Sequence, residues 1–367
     1  MNKNEILRIY GTDYLENTKL LLKSAGLKDI IPSASTRIGI KPNLVSPVPA
    51  IMGSTTHPEV VSGLIEYLFE NGFHNICIAE GSWVGDKTED SFEVCGYNAI
   101  SQKYGVPLVD TQKCSGVERE CNGLRLNICD CLDDIDFMIN VPVLKGHAET
   151  RITCALKNMK GLIPNSEKRR FHSMGLHDPI AHLSAAIHQD FILVDHICGD
   201  LDFEDGGNPV ETNCIMASLD PVLMDAYVCK LLGYELSDVP YILKAHEIGS
   251  GSIDIDNAKI ITFGDSSGYE EKIRPSHHLI EIMDKVTEVD SCSACYAALL
   301  PALEQLKEDG LLEKLYHEYG KVCIGQAFRG KSGKLGVGSC TTGFTHSVPG
   351  CPPKSNDIYE YLKKLIG

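Results

Sequence analysis

The chain has 367 residues, 43% hydrophobic and 23% charged, enough to bury a core and to build two domains. A formal net charge of −16 argues against nucleic acid or an anionic membrane surface as the main partner, since both are polyanions. The first residues, MNKNEILRIYGTDYLENTK, lack the apolar run and cleavage site of a secretory leader, and no apolar run nears the ~20 residues that span a bilayer, so a cytoplasmic protein is expected.

Before residue 280, short β-rich runs alternate with helical patterns. That rhythm predicts an α/β domain with a largely parallel sheet flanked by helices. Strands are predicted at 36–40, 76–79, 106–109, 137–141, 191–194, 214–217 and 259–262. After the first of these, HPEVVSGLIEYLFENG puts Val60, Leu64 and Leu68 on one helical face, with Pro58 in the first turn and Gly72 as the stop. DPVLMDAYVCKLLG repeats the grammar, with Asp220 as cap, Pro221 in the first turn and Gly233 at the end. Near residue 280 the rhythm yields to a helical stretch, SACYAALLPALEQLKEDGLLEKLY, and a glycine-rich loop. The expected organisation is an α/β domain over 1–280 with an anion-binding crevice, and a smaller cysteine-rich lobe of helices and loops over 281–367.

Fifteen cysteines in a reducing compartment do not suggest a disulfide framework, and the odd number leaves at least one unpaired. Metal or redox chemistry explains them better. In the C-terminal lobe Cys292-x2-Cys295 is followed by Cys323, Cys340 and Cys351-Pro352-Pro353. Four thiolates, Cys292, Cys295, Cys340 and Cys351, suit an iron–sulfur cluster of the 4Fe-4S type, with a C-x2-C pair supplying two ligands at little strain. Glycines in GKLGVGSC and PGC let backbone N–H groups approach the inorganic sulfides. Structural zinc is the alternative, but zinc sites more often use two C-x2-C knuckles, and here the second pair is split by ten residues. Cys323 either packs as a fifth thiol or takes the place of one of the four.

Polar groups concentrate at predicted strand ends, where open parallel sheets bind ligands. They include Lys41 and Asn43, His57, Glu80, Lys145 and His147, Lys157 and Lys160, His172 and His177, and Asp195. Lys41, Asn43, Lys157 and Lys160 are expected to hold a small anion. Lys145, His147, His172, His177 and Asp195 are the candidate catalytic set, the histidines as proton-transfer groups or ligands and Asp195 orienting one of them. For any one of them a solvated loop residue or a helix cap is the competing explanation. No phosphate loop, dinucleotide fingerprint or G-x-S-x-G elbow occurs where it would be functional.

GVGSCTTGFTHSVPGCPP resembles the cluster-binding stretch of nickel–iron hydrogenase small subunits and of the matching subunit of respiratory complex I, where VPGCPP carries the last ligand. Over residues 36–250 the order of KPNL, THPE, NVPVLKGH, LKNMKGLIP, LVDHI and SLDPVLMDA is similar to the domain of unknown function 362 family, an iron–sulfur-associated family. That resemblance implies the fold and the cluster and leaves the reaction open. The expected function is a 4Fe-4S oxidoreductase or electron-transfer protein acting on a small anionic substrate or a redox partner. The alternatives are a lyase, isomerase or racemase with a structural cluster, and a cluster-stabilised binding protein.

Overall fold

The computed structural model describes residues 1–204, 206–267, 281–289, 291 and 293–367, with the backbone alone at residues 293 and 294. These residues form two compact units. Of the described residues, one unit holds Met1–Phe171 and the residues from His177 to 267, and the other holds His172–Leu176 and the residues from 281 to Gly367.

The first unit carries strands β1 (Glu5–Tyr10), β2 (Ile38–Pro42), β3 (Ile76–Glu80) and β4 (Leu108–Asp110), then a hairpin of β5 (Gly116–Cys121) and β6 (Leu124–Cys129). Next come β7 (Phe137–Val141), a second hairpin of β8 (Lys145–His147) and β9 (Arg151–Thr153), and β10 (Phe191–Asp200), β11 (Pro209–Ser218) and β12 (Lys259–Phe263). Eight of them form one sheet in the order β12-β1-β11-β10-β7-β2-β3-β4, in which β11 alone runs against the rest. The architecture is the expected helix-flanked, mostly parallel α/β sheet. From β2 the chain winds outward through β3 and β4, then returns on the other side of β2 as β7. The carboxyl ends of β2 and β7 are therefore the switch point at which such sheets open a crevice.

Local signals account for the helices. Pro58 opens Pro58–Glu70, which buries Val60, Val61, Leu64, Ile65 and Leu68 in the core that also holds Ile38, Ile40, Ile78 and Ile139. Each such side chain contributes about 1.5–3 kcal/mol by leaving water. Gly63 lets the helix Tyr14–Ala25 approach, since a Cβ there would lie 2.6 Å from the Leu15 carbonyl oxygen. Asp220 caps Pro221–Leu231 by accepting the Val222 and Leu223 N–H groups, both at 2.9 Å.

Three features differ from the sequence expectation. β1 falls outside the expected strands, because its ILRIY pattern is short, yet it sits inside the sheet between β11 and β12. β10 and β11 run ten residues each, because antiparallel pairing with one another extends both past the residues expected as strand. The C-terminal unit contains a parallel sheet as well as helices. It consists of β13 (Val286–Glu288), β14 (Val322–Ile324), β15 (Leu335–Val337) and β16 (His346–Val348), in that order. These strands are three residues each, the last three of them with glycines nearby, and read in the sequence as loop. Helices Ser293–Glu308, Leu312–Tyr319 and Ser355–Ile366 supply buried Leu299, Leu303, Leu315, Ile358 and Leu362. Among the described residues no helix is long and apolar enough to cross a membrane.

Candidate functional site

At the switch point Lys41, the last but one residue of β2, is 1% exposed and pairs with Glu80 at the end of β3, its Nζ 2.8 Å from Oε2. The same ammonium donates to the Pro42 carbonyl at 2.6 Å and to Asn158 Oδ1 at 3.3 Å. Glu80 also accepts the Leu44 and Gly81 N–H groups. Gly161 is needed here, because a Cβ would fall 2.1 Å from Glu80 Oε1 and 2.5 Å from Lys41 Cε. Lys41, expected to bind the ligand, thus has its ammonium committed to protein oxygens. Asn158 reaches Asn140 Oδ1 at 2.7 Å, which ties β7 into the same network.

Beside this pair lies a second cluster built on Glu204. Lys157 Nζ is 2.6 Å from Glu204 Oε1, and His147 Nε2 is 3.0 Å from Oε2. Lys145 donates to the Ser54 and Glu204 carbonyls at 2.7 and 2.8 Å, with Asn43 Oδ1 at 3.5 Å. His147 Nδ1 accepts two backbone N–H groups, from Glu149 and Thr150, each at 3.0 Å. The hydrogen-bond pattern therefore assigns its proton to Nε2. Burial, with Lys157 adding to it, pushes the His147 pKa down to about 4. Burial opposes the Glu204 charge, but Lys157, His147 and Lys145 hold its carboxyl well below the usual range. Glu204 escaped the sequence reading because DFEDGG looks like a solvated acidic loop.

Lys160 is half-buried and makes no hydrogen bond or ion pair with a described residue. Burial, together with neighbouring Lys157, lowers its pKa to about 8. Lys168, hidden in the charged run SEKRR, is buried and donates to the Gly81 and Ser82 carbonyls, both at 2.9 Å. Among the described residues five lysines (41, 145, 157, 160 and 168) thus gather with Glu80, Glu149 and Glu204. The crevice is locally cationic in a chain of net charge −16.

The remaining expected catalytic groups lie elsewhere. His172 sits on the helix Asn165–Met174 and groups with the second unit. His177 begins the helix His177–Ala186 in the first unit and stacks on Tyr241 at 5.9 Å. Asp195, expected to orient one of these histidines, instead holds His57, whose Nδ1 is 2.8 Å from Asp195 Oδ2. His196, next along β10, is 1% exposed, and neither ring nitrogen has a partner among the described residues.

These buried rings make stability depend on pH. Burial drives His147 and His196 from 6.5 to about 4, so below pH 6.5 the unfolded chain binds protons that the folded chain does not. Their contribution is complete above pH 6.5 and falls as pH drops toward 4, by on the order of 3 kcal/mol per ring. Urea unfolding at pH 7.0 and 4.5 should show the loss. His196→Leu should flatten the slope, and an unchanged slope would mean that His196 is protonated when folded.

In the second unit the cysteines follow the strands. Cys340 and Cys351 are each the third residue beyond the ends of β15 and β16, and Cys295 lies in the first turn of the helix that follows β13. The Ser339 N–H donates to the Gly350 carbonyl at 2.8 Å, which joins the Cys340 and Cys351 loops. A Cβ on Gly338 would lie 3.7 Å from Cys295 Sγ and 3.7 Å from the Gly350 carbonyl oxygen, so Cys295 faces the same two loops. Arg329 Nε lies 3.4 Å from Cys340 Sγ. Cys323 sits within β14, paired in register with Gly336, and not at a strand's carboxyl end. Cys292 lies outside the described residues, among which no group of three or more His, Cys, Asp or Glu side chains closes to metal-holding distance. The described cysteines form no disulfide.

The chain is 24% identical over 249 residues to the thylakoid-associated protein sll1697 of Synechocystis sp., covering 64% of this chain and 75% of that protein. Among solved structures it is similar to the lactate racemase apoprotein of Thermoanaerobacterium thermosaccharolyticum, with a TM-score of 0.43, 14% identity and 65% of this chain covered. The match spans 59% of that protein's length. A Thermotoga maritima protein matches with a TM-score of 0.40, 14% identity and 60% of each chain covered. Residues 38–230 match the family described as Domain of unknown function (DUF362).

Proposed function

The chain belongs to the Domain of unknown function (DUF362) family, and from that premise we propose that it is a 4Fe-4S protein of the oxidoreductase or electron-transfer kind whose α/β unit binds a small anion. The observation that carries the cluster is the placement of Cys340 and Cys351 at equivalent points beyond two adjacent parallel strands, with Cys295 facing their loops. Cys292 completes the set as the other half of the C-x2-C pair. When bound, a cluster held by four thiolates supplies one-electron transfer, since no iron position is left open for a substrate. Its partner is a redox protein or a small anionic molecule in the cytoplasm.

The crevice favours binding over proton transfer. His147 has its Nδ1 lone pair taken by two backbone N–H groups and its Nε2 proton facing Glu204, so it has no lone pair for a substrate proton. Lys160 is the group that faces a ligand. Titration with sulfate and malonate at pH 7 should give binding that Lys160→Met weakens about tenfold, or ~1.4 kcal/mol. Binding should fall as pH rises through about 8, where the Lys160 ammonium loses its proton. Unchanged affinity in the variant would remove Lys160 from the site. Iron and sulfide analysis after anaerobic purification tests the cluster.

A further inference from the structure

Apart from the lysines, two side chains of β10 and one at a helix start form a group that the proposed function does not use. We propose that Cys198, His57 and Asp195 are a reactive thiol centre that accepts a short uncharged acyl group from an ester or thioester.

His57 is the residue before the helix Pro58–Glu70, and Asp195 and Cys198 are both on β10. Asp195 Oδ2 accepts the His57 backbone N–H at 2.7 Å and pairs with its Nδ1 at 2.8 Å, while Oδ1 accepts the Ile197 N–H at 3.0 Å. The imidazole is therefore fixed in position and in proton placement. Its Nε2 lies 3.6 Å from Cys198 Sγ. Nucleophile, base and orienting carboxylate thus stand in the order that thiol and hydroxyl acyl transfer requires.

A regular strand would not allow this. Residues three apart on a strand point to opposite faces, so Asp195 and Cys198 would be separated by the sheet. The pairing of β10 with β11 shifts register between His196 and Cys198, two steps on β10 against three on β11, and at this irregularity the Cys198 sulfur reaches the His57 ring that Asp195 holds. Bulges re-aim side chains in this way beside active sites.

The surroundings select the substrate. His57 keeps 12% of its side chain exposed and Cys198 8% of its surface, so only a small group reaches the sulfur. Tyr14 closes one side, its ring 5.7 Å from that of His57, and its hydroxyl donates to Asn213 Oδ1 at 2.6 Å. Glu59, Glu211 and Asp195 all act on the Tyr14 hydroxyl, so the entrance is acidic and disfavours an anion. Burial works against a charged His57, but Asp195, helped by Cys198, lifts its pKa to about 10. The ring therefore carries a proton facing the sulfur.

In the reaction the bond from Cys198 Sγ to the acyl carbon forms, and the bond from that carbon to the leaving oxygen or sulfur breaks. The proton that left the thiol passes from His57 Nε2 to the leaving group. Water or a second thiol then attacks the S-acyl carbon and gives its proton to His57 Nε2, the bond from that carbon to Cys198 Sγ breaks, and the proton on His57 returns to the released sulfur.

The test uses the intact protein with p-nitrophenyl acetate, following p-nitrophenolate release and peptide mass. The expected result is an acetyl group on the Cys198 peptide, removed by hydroxylamine, lost in Cys198→Ser and formed about 100-fold more slowly in His57→Gln. Should His57→Gln fail to fold, the wild-type protein decides alone through alkylation by iodoacetamide. Cys198 should then react ahead of buried Cys154 and Cys229, and should prefer neutral iodoacetamide over iodoacetate about tenfold more than a free thiol does. Acetylation confined to lysines or to other cysteines, or alkylation of Cys198 no faster than of Cys154, would overturn the proposal.

Discussion

Cys340→Ala is expected to purify with less than one iron per chain, and the wild-type protein with about four irons and four sulfides. The reason lies in the geometry of the second unit. Parallel strands deliver their succeeding loops to one edge, and β15 and β16 each deliver a cysteine three residues past their ends. The Ser339-to-Gly350 hydrogen bond holds those two loops together, and Gly338 brings Cys295 against them. Removing one of four thiolates breaks the set, and ligation is coupled to the folding of short strands that have little core of their own. Cys323→Ala is the matched control and should retain both iron and a dithionite-reducible paramagnetic signal, because Cys323 lies inside β14. Two results refute the assignment. One is zinc without sulfide in the wild type, and the other is iron that survives loss of Cys340 but not loss of Cys323.

Lys41→Met should destabilise the first unit by about 3–5 kcal/mol, read as a shift in the urea midpoint at pH 7. The side chains of Lys41 and Glu80 are only 1% and 3% exposed. Methionine matches the volume of lysine, so the cost is that of leaving the Glu80 carboxylate buried with only the Leu44 and Gly81 N–H groups. Pairing the change with Glu80→Gln should restore most of the stability, since two neutral side chains leave no stranded charge. A single-variant cost below about 1 kcal/mol would mean that water reaches Glu80 and that the pair does not anchor the switch point.

The sequence by itself determined most elements of the first unit and its mostly parallel α/β class. Pro58 at a helix start, Asp220 at a cap and period-2 apolar runs act within a few residues, so their effects are legible wherever the chain goes. The C-x2-C pair and the glycines around Cys340 and Cys351 are likewise local. Partners are another matter. Lys41 meets Glu80 across 39 positions, Lys157 meets Glu204 across 47, and Cys198 meets His57 across 141. Those distances are closed by strand order, which sets β2 beside β3 and brings β10 past the start of a helix that comes after β2. No spacing in the chain encodes them. The same holds for charge: Glu204 and Lys168 read as solvated residues until folding half-buries Glu204 against Lys157 and His147 and buries Lys168 against the Gly81 and Ser82 carbonyls. The register shift after His196, where β11 carries the extra residue and Asn213 takes a left-handed φ of 47°, arises from the pairing of two strands, so the meeting of Cys198 with His57 is decided only by the tertiary structure.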